Sequence, residues 1–195
     1  MGGNIIMAIF CVVLAYFIGN ISPAILISKA RGKDIREEGS RNAGSTNMLR
    51  IHGKKAAAAT LLIDIIKGIV AVLIGAYFGG ITVSFICADA VILGHVWPLL
   101  YGFRGGKGIA TSLGAIIAIS PLVAGIMAAI AFTVIAITKR VSVGSLTAAF
   151  VAPLIVWKFI PDFLPYVLLI VIIVVIKHRG NVLRIIKGQE PKLKL

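Results

Sequence analysis

Acidic residues and cysteines are scarce in this chain. Only 7 of its 195 residues are Asp or Glu, against 20 Lys or Arg, and it has 2 cysteines. Cys11 and Cys87 lie inside apolar runs, which leaves no disulfide framework and no metal-ligand spacing. Asp64 and Asp89 stand apart, which argues against a metal-dependent phosphotransferase with clustered carboxylates. No basic region precedes the first apolar run, so we predict a membrane anchor with its N-terminus outside and not a cleaved signal peptide.

Apolar sequence is what the chain has in excess. Hydrophobic residues make up 59% of it and the mean hydropathy is +1.03, whereas a soluble domain is about 45–50% apolar. The runs are continuous and do not alternate, which favours helices over a β-barrel. We therefore expect one all-α polytopic membrane domain over residues 1–195.

The basic residues lie between the apolar runs. A net charge of +13 in a soluble protein would suggest a nucleic-acid partner. Because these cations flank hydrophobic spans, they predict membrane topology, anionic lipid and an anionic substrate, and no nucleic acid.

The apolar runs predict seven transmembrane helices, with the N-terminus outside and the C-terminus in the cytoplasm. Their predicted ranges are 5–27, 56–78, 81–100, 109–119, 121–138, 143–160 and 163–176. Residues 109–138 could also form one long span, but that span would place Lys139 and Arg140 outside. With two helices separated at Ser120-Pro121, all Lys and Arg except Lys67 and Lys158 lie on the cytoplasmic side.

A glycine-rich segment, GFRGGKGIAT, occupies residues 102–111. Glycines allow successive backbone N–H groups to turn toward one point, where they form an anion-binding nest, and the start of a following helix also favours phosphate. It is not a nucleotide-binding loop of the Walker type, because Tyr101 and Gly108 stand where that pattern needs Gly and Ser or Thr. The alternative is a flexible turn with two cationic anchors.

The first cytoplasmic segment contains GSRNAGSTNMLR at residues 39–50, in which Gly-Ser-x-Asn occurs twice. Its Ser, Thr and Asn side chains are small neutral hydrogen-bonding groups, and Arg50 supplies a planar fork that suits phosphate oxygens. An ordinary turn-rich loop that ends in a helix cap is the alternative. The density of small donors beside an arginine favours a binding role.

Four ionisable residues lie inside apolar runs. Asp64 and Lys67 are three residues apart on one helical face, so we predict an ion pair that limits the cost of burying either charge, with substrate contact as the alternative. Asp89 must face the protein interior. His95 is either a base or a packed histidine.

Two further polar segments follow in the second half of the chain. The segment VSVGS at 141–145, which ends in Ser145, opens the sixth predicted span, and there a serine that caps the helix is favoured over a serine that acts as a ligand. In the segment KHRGNVLR at 177–184, His178, Asn181 and Arg184 fall on roughly one face if the last helix continues. A basic anchor for lipid head groups would explain the cations, but not the Asn and His. All the polar motifs are predicted to face the cytoplasm.

Three motifs together resemble the bacterial acyl-phosphate:glycerol-3-phosphate acyltransferases, the PlsY family. They are GSxNxGxTNxxR at 39–50, GHxxP with FxGGKGxAT at 94–111, and KHRxNxxR…GxE at 177–190. The resemblance covers essentially the whole chain in order. It implies a seven-helix enzyme of the bacterial inner membrane, with its site facing the cytoplasm, that acylates the 1-position of sn-glycerol 3-phosphate from a fatty acyl phosphate. Arg104 stands where lysine is common and Ser45 where alanine is common, and both nearly keep charge and size.

The resemblance assigns roles to residues of this chain by position. Lys107 and its glycine loop would hold phosphate, and Arg50 would bind the glycerol phosphate or the donor phosphate. The expected catalytic residues are Lys107, Arg50, Ser145, His178 and Asn181. The expected substrate-binding residues are Ser40, Asn42, Thr46, Asn47, Gly105, Gly106, Gly108 and Thr111. No metal or other cofactor is expected, and the expected partners are both substrates, membrane lipid and a peripheral acyl-phosphate synthase.

An acyl phosphate is already activated, so positioning and charge stabilisation are expected to matter more than a strong nucleophile. We expect direct attack by the glycerol 1-hydroxyl without an acyl-enzyme. The proton acceptor is either a donor phosphate oxygen or His178. The Asp that follows a catalytic His by five positions in the His-Asp glycerolipid acyltransferases is absent, since Leu100 follows His95. A transporter, the rival class, would show inverted repeats, and we find none in the sequence.

Overall fold

The computed structural model describes residues 5–193, and every regular element in that part of the chain is helical. Two short 3₁₀ turns, at Leu99–Tyr101 and Pro161–Phe163, interrupt the α-helices. The α-helices are α1 (Ile5–Asn20), α2 (Pro23–Lys29), α3 (Ser45–Val96), α4 (Ile109–Ile119), α5 (Pro121–Thr138), α6 (Val141–Phe159), α7 (Leu164–Lys177) and α8 (Arg179–Ile186).

The long helix α3 folds back on itself at Gly80. Gly80 has φ 77° and ψ −172°, angles that are essentially restricted to glycine. A Cβ built on Gly75 would lie 2.9 Å from the Cα of Ser84, whereas nine residues of straight helix span about 13.5 Å. The chain therefore reverses here, between the predicted spans 56–78 and 81–100. We call residues 54–79 the first arm of α3 and residues 81–96 the second arm.

A break divides the first predicted span into α1 and α2. Pro23 begins α2, and at the first position of a helix the N–H that proline lacks would have no partner within the helix. Ser22 is extended, with φ −114° and ψ 93°, as residues before proline prefer. Asn20 and Ser22 are buried, so the polar part of this span faces protein. The range 5–27 thus holds two helices and not one.

The segment from 109 to 138 forms two helices, as predicted. Ser120 caps α5 by accepting a hydrogen bond from the backbone N–H of Val123 at 3.4 Å, and Pro121 is the first residue of that helix. α4 has 11 residues and a length of about 16 Å, well short of a hydrocarbon core of about 30 Å.

Five helical stretches of the described chain are long and apolar enough to cross a membrane. They are Ile5–Lys29, Ser45–Tyr101, Pro121–Thr138, Val141–Phe159 and Pro161–Ile186. The second of these stretches contains both arms of α3. Large apolar side chains along these helices are exposed, for example Phe10, Leu62 and Phe150, as expected of surfaces that face lipid.

The chain divides into two compact units, the first ending at Ile119 and the second beginning at Ser120. In the first unit α1 and α4 pack on α3 through glycines. A Cβ on Gly94 would overlap the carbonyl oxygen of Tyr16, and one on Gly114 would overlap that of Ile65, so the helices approach as closely as small residues allow. The second unit contains α5 to α8. The expectation of a single domain stays a prediction.

Candidate functional site

The first polar loop, residues 30–44, is closed by Asn47. This side chain is 1% exposed. Its Oδ1 accepts a hydrogen bond from the N–H of Ser40 at 2.9 Å, and its Nδ2 donates to the carbonyls of Ile35 and Glu38 at 3.2 and 2.9 Å. Three bonds to one loop make Asn47 a support for the loop backbone. The contact with substrate that the sequence predicts for Asn47 stays a prediction.

Other candidate hydrogen-bonding residues of the motif at 39–50 are more accessible than Asn47. Ser40 and Arg50 are exposed, and Asn42 and Thr46 are partly buried. Thr46 and Arg50 lie four residues apart in the helical start of α3, so their side chains share one face. A hydroxyl and a guanidinium on one face can both bind the same anion.

Arg36 connects the first polar loop to the chain segment that precedes the glycine loop. Its Nε and Nη2 donate to the two carboxylate oxygens of Asp34 at 2.7–3.2 Å, and its Nη1 donates to the carbonyl of Tyr101 at 2.8 Å. The hydrogen bonds from Arg36 lower the pKa of Asp34 to about 2. Neither residue was singled out by the sequence motifs, since the connection depends on two loops that are distant in sequence.

The glycine loop lies across the end of the second arm of α3. The N–H of Gly106 donates to the carbonyl of His95 at 3.1 Å. A Cβ on Gly105 would overlap that carbonyl oxygen, and a Cβ on Gly106 would overlap Nε2 of His95. These two glycines are required by close packing, whereas Gly108 has a positive φ of 86°.

This packing changes the expected anion nest. The N–H of Gly106 bonds to protein, so it does not point toward an anion. An anion at this loop would be held by the partly buried Lys107 and by the start of α4, whose partial positive charge attracts phosphate.

Thr111, in the first turn of α4, is fully buried. Its Oγ1 has no hydrogen-bond partner among the described residues. A Cβ on Gly68 would overlap the Thr111 carbonyl oxygen, so α4 packs tightly on the first arm of α3 at this residue. A substrate contact by Thr111 stays a prediction.

A buried charged cluster lies in the first unit. Lys67 Nζ is 2.7 Å from Asp64 Oδ1, which confirms the predicted ion pair, and 2.8 Å from His95 Nδ1. It also donates to the carbonyls of Gly19 and Ile21 at 3.1 and 2.7 Å, beside the break between α1 and α2. His95 is therefore packed in the protein, at 6% exposure. Its place in this cluster was not expected, because it requires contact between both arms of α3.

In the second unit, Glu190 is the centre of a hydrogen-bonded cluster. Ser142 Oγ and Asn181 Nδ2 donate to its Oε1 at 2.7 and 2.6 Å, and Arg184 Nε donates to its Oε2 at 2.7 Å. Arg140 Nε donates to its carbonyl at 3.1 Å. Burial raises the pKa of Glu190, but these side-chain hydrogen bonds and the Arg184 charge outweigh burial and hold the pKa below its usual value.

The sequence motif contains Glu190, but we did not expect it among the site residues. The signal available was a single glutamate in a basic tail, four residues beyond the end of α8. Asn181 and Arg184 do share a face, as predicted, and that face binds Glu190.

His178 lies between α7 and α8 and is 2% exposed. Its Nδ1 is 2.8 Å from the carbonyl oxygen of Val174. Because a carbonyl can only accept, Nδ1 carries a proton and the lone pair of the neutral ring is on Nε2. If His178 is a base, Nε2 must be the accepting atom.

The prediction that a serine of residues 141–145 caps the sixth span is wrong. α6 begins at Val141 with Arg140 as its N-cap, because Lys139 has a left-handed conformation (φ 56°) that ends α5. Ser145 therefore lies inside the helix and is buried. Its predicted role as a ligand stays open to test.

The expected site residues fall in both units. The first unit contains the first polar loop and the glycine loop, with Arg50 and Lys107. The second unit contains Ser145, His178 and Asn181. Among residues 5–193, no group of three or more His, Cys, Asp or Glu side chains is placed to hold a metal ion. Metal independence of the reaction stays a prediction.

Known proteins resemble this chain along nearly its full length. The family described as glycerol-3-phosphate acyltransferase matches residues 9–188. The protein of that name from Thermoanaerobacter sp. (strain X514) is 44% identical over 190 residues, which cover 95% of this chain and 96% of the relative. The one from Cronobacter sakazakii (strain ATCC BAA-894) is 42% identical over 185 residues, 93% of this chain and 90% of the relative.

Two solved structures have a similar fold. A crystal structure of PlsY, an integral membrane glycerol 3-phosphate acyltransferase, in its glycerol 3-phosphate form has a TM-score of 0.92 and 34% identity, with 96% of each chain covered. The lysophosphatidic acid form of PlsY has a TM-score of 0.89 and 33% identity, with 96% of this chain and 95% of that chain covered.

Proposed function

This chain belongs to the glycerol-3-phosphate acyltransferase family of integral membrane proteins, the PlsY family, and on that premise we propose the reaction that it catalyses. A fatty acyl group passes from an acyl phosphate to the 1-hydroxyl of sn-glycerol 3-phosphate. The products are lysophosphatidic acid and inorganic phosphate. The likeness to PlsY structures in glycerol 3-phosphate and lysophosphatidic acid forms supports this substrate and product.

The observation that carries the proposed phosphate site is the glycine loop packed on His95, with Lys107 beside it. A loop fixed in this way needs no rearrangement to receive a phosphate group, which reduces the cost of binding. Arg50 supplies a second cation in the same unit. Two cations suit a reaction whose two substrates each carry a phosphate and would repel one another.

The proposed step is direct acyl transfer. The oxygen of the glycerol 1-hydroxyl attacks the acyl carbonyl carbon, and the bond from that carbon to the phosphate oxygen breaks. The phosphate leaves with the bonding electron pair, and a phosphate oxygen takes up the hydroxyl proton. Nε2 of His178 is the competing acceptor, because its Nδ1 already donates to Val174.

We also propose seven membrane spans. The five apolar stretches become six when the two arms of α3 are counted separately at Gly80, and α4 is the seventh. Because α4 is short, the bilayer must thin beside it or protein must surround it. The positive-inside bias places the N-terminus outside, and both polar loops and the C-terminus in the cytoplasm. The site then faces the cytoplasm from the inner membrane of a bacterium, where a peripheral acyl-phosphate synthase could deliver the donor.

One assay tests the reaction. Purified protein receives a fatty acyl phosphate and glycerol 3-phosphate, and lysophosphatidic acid and phosphate release are measured with and without EDTA. We expect both products in equal amounts, unaffected by EDTA. Formation of neither product would reject the proposed reaction, and activity lost only with EDTA would indicate a metal enzyme.

The same assay separates the two proton acceptors. Lys107→Ala is expected to reduce turnover by about 10²–10³-fold, the usual effect of removing a group that stabilises transition-state charge. If a phosphate oxygen is the acceptor, His178→Ala retains measurable turnover with an unchanged pH profile. If the histidine is the acceptor, that variant loses the limb of the profile that reports its titration.

A further inference from the structure

The buried cluster around Lys67 includes His95, the residue on which the glycine loop packs. Four acceptors surround Nζ of Lys67: Asp64 Oδ1 at 2.7 Å, His95 Nδ1 at 2.8 Å and the carbonyls of Ile21 and Gly19 at 2.7 and 3.1 Å. Lys67 and Asp64 are 4% and 2% exposed. An ammonium has three hydrogens, which His95 Nδ1 and the two carbonyls accept, and the Asp64 carboxylate balances its charge as an ion pair.

The contact between Lys67 and His95 fixes where the histidine proton lies. An ammonium group cannot accept a hydrogen bond, so a separation of 2.8 Å between the two nitrogens requires a lone pair on Nδ1. The alternative is an imidazolium that donates from Nδ1 to Asp64, but that distance is longer, at 3.3 Å, and it would set two N–H groups against each other. The ring is therefore neutral, with its proton on Nε2.

Nε2 of His95 faces the glycine loop and lies near the first polar loop. It contacts Gly106, since a Cβ on that glycine would overlap it. The same Cβ position would lie 2.9 Å from the carbonyl oxygen of Ala43, in the first polar loop. The backbone carbonyl of His95 also accepts a hydrogen bond from the N–H of Gly106, and this bond holds the glycine loop against the end of α3.

On the basis of the proposed function, we propose that Lys67 and His95 are positioning residues for phosphate binding. Lys67 holds the His95 ring in the Nε2–H form, and His95 seats the glycine loop against the first polar loop. Lys107 is the next residue after Gly106, so the seating determines where its ammonium meets a phosphate group. Neither positioning residue needs to touch substrate.

The tautomer is tested on the wild-type protein in lipid nanodiscs by ¹⁵N NMR after labelling of histidine. A bare and a protonated ring nitrogen differ strongly in ¹⁵N shift. We expect signals of a bare Nδ1 and a protonated Nε2 that are present in the wild-type spectrum and missing from the His95→Gln spectrum. A proton on Nδ1 of His95 would overturn the proposal, whether or not any variant folds.

Two substitutions of similar size test the positioning role. Glutamine can place an amide N–H near the position of Nε2, whereas asparagine reaches only as far as Nδ1. We expect His95→Asn to raise the KM for one phosphate substrate about tenfold relative to His95→Gln, the effect of one lost hydrogen bond, with kcat changed less. Thermal unfolding of both variants controls for stability. Equal KM values in two folded variants would leave His95 a packing residue and overturn the proposal.

These measurements separate two kinds of failure. If the wild-type protein forms no lysophosphatidic acid, the proposed function is wrong and the kinetic arm ends there. The NMR arm needs no substrate, so it still decides whether His95 has the tautomer that its contact with the Lys67 ammonium requires.

Discussion

Asn47, Lys67 and Glu190 are buried polar residues that each hold separate pieces of backbone or side chain together. Each engages at least three hydrogen-bonding groups. Such a residue is costly to change, because its loss leaves several buried groups without partners. The candidate site therefore depends on side chains that need not touch substrate.

Glu190→Gln is expected to destabilise the protein by about 1.5–3 kcal/mol, the contribution of hydrogen bonds to a charged group. The folded protein holds the pKa of Glu190 below its ordinary value of 4.5. This contribution is therefore complete above about pH 4.5 and is lost as the pH falls through the lower pKa of the folded state. Thermal unfolding of both proteins between pH 3.5 and pH 7 should show their difference shrinking on the acid side.

Glu37→Gln is the matched control for this measurement. Glu37 pairs with Arg104 at 3.0 Å, but both side chains are more than half exposed, and such pairs contribute at most about 1 kcal/mol. A wild-type advantage over Glu190→Gln that stayed constant down to the lowest pH would contradict the role of the Glu190 charge.

At the scale of elements, the glycine loop shows why a motif can be recognised while its geometry is not. The sequence predicts an anion nest from glycine freedom, but Gly105 and Gly106 have no positive φ. They are needed because the loop crosses the backbone and ring of His95. That approach depends on how α3 ends, which no local pattern encodes.

Gly106→Ala is expected to raise the KM for a phosphate substrate at least tenfold. The added Cβ would overlap Nε2 of His95, and a loop displaced by even a fraction of an ångström misplaces the neighbouring ammonium. Steady-state kinetics with each substrate varied in turn measures the effect.

The control is Gly125→Ala, on an exposed position of α5 where a Cβ would meet nothing within 4 Å. That variant should keep wild-type kinetics and be slightly more stable, because alanine favours a helix over glycine by about 1 kcal/mol. Equal kinetics in both variants would show that the loop tolerates a side chain.

Element boundaries were predicted well where a local signal exists. Ser120-Pro121 is both a cap and a helix start, so the predicted helices 109–119 and 121–138 match α4 and α5. The break after Asn20 is harder to predict, because Lys67, on another helix, stabilises it by donating hydrogen bonds to the carbonyls of Gly19 and Ile21. The predicted serine cap of the sixth span is wrong because α6 begins at Val141, two residues before the predicted start, with Arg140 as its N-cap.

At the scale of the whole molecule, topology is the feature that the charges predict most directly. Cys11 and Cys87 are fully buried, so single cysteines added elsewhere can be labelled against a low background. Asp162→Cys and Leu122→Cys should react with a membrane-impermeant thiol reagent in intact cells. Lys187→Cys should react only after the membrane is made permeable, because the C-terminal tail is cytoplasmic.

Leu122 is the informative position, since it follows α4. If α4 spans the membrane, Leu122→Cys is labelled from outside the cell, as Asp162→Cys is. If Leu122→Cys reacted only after the membrane was made permeable, α4 would not span and the number of spans would be below seven.

The acceptors around Lys67 also bear on how the chain enters the membrane during synthesis. A lone lysine at the centre of an inserting helix costs about 2.5–3.5 kcal/mol. Asp64 inserts on the same helix as Lys67, and the carbonyls of Gly19 and Ile21 precede both in the order of synthesis. His95 arrives last, with the second arm of α3. Insertion in chain order thus supplies most partners before the charge must leave water, and the histidine closes the cluster when the hairpin forms.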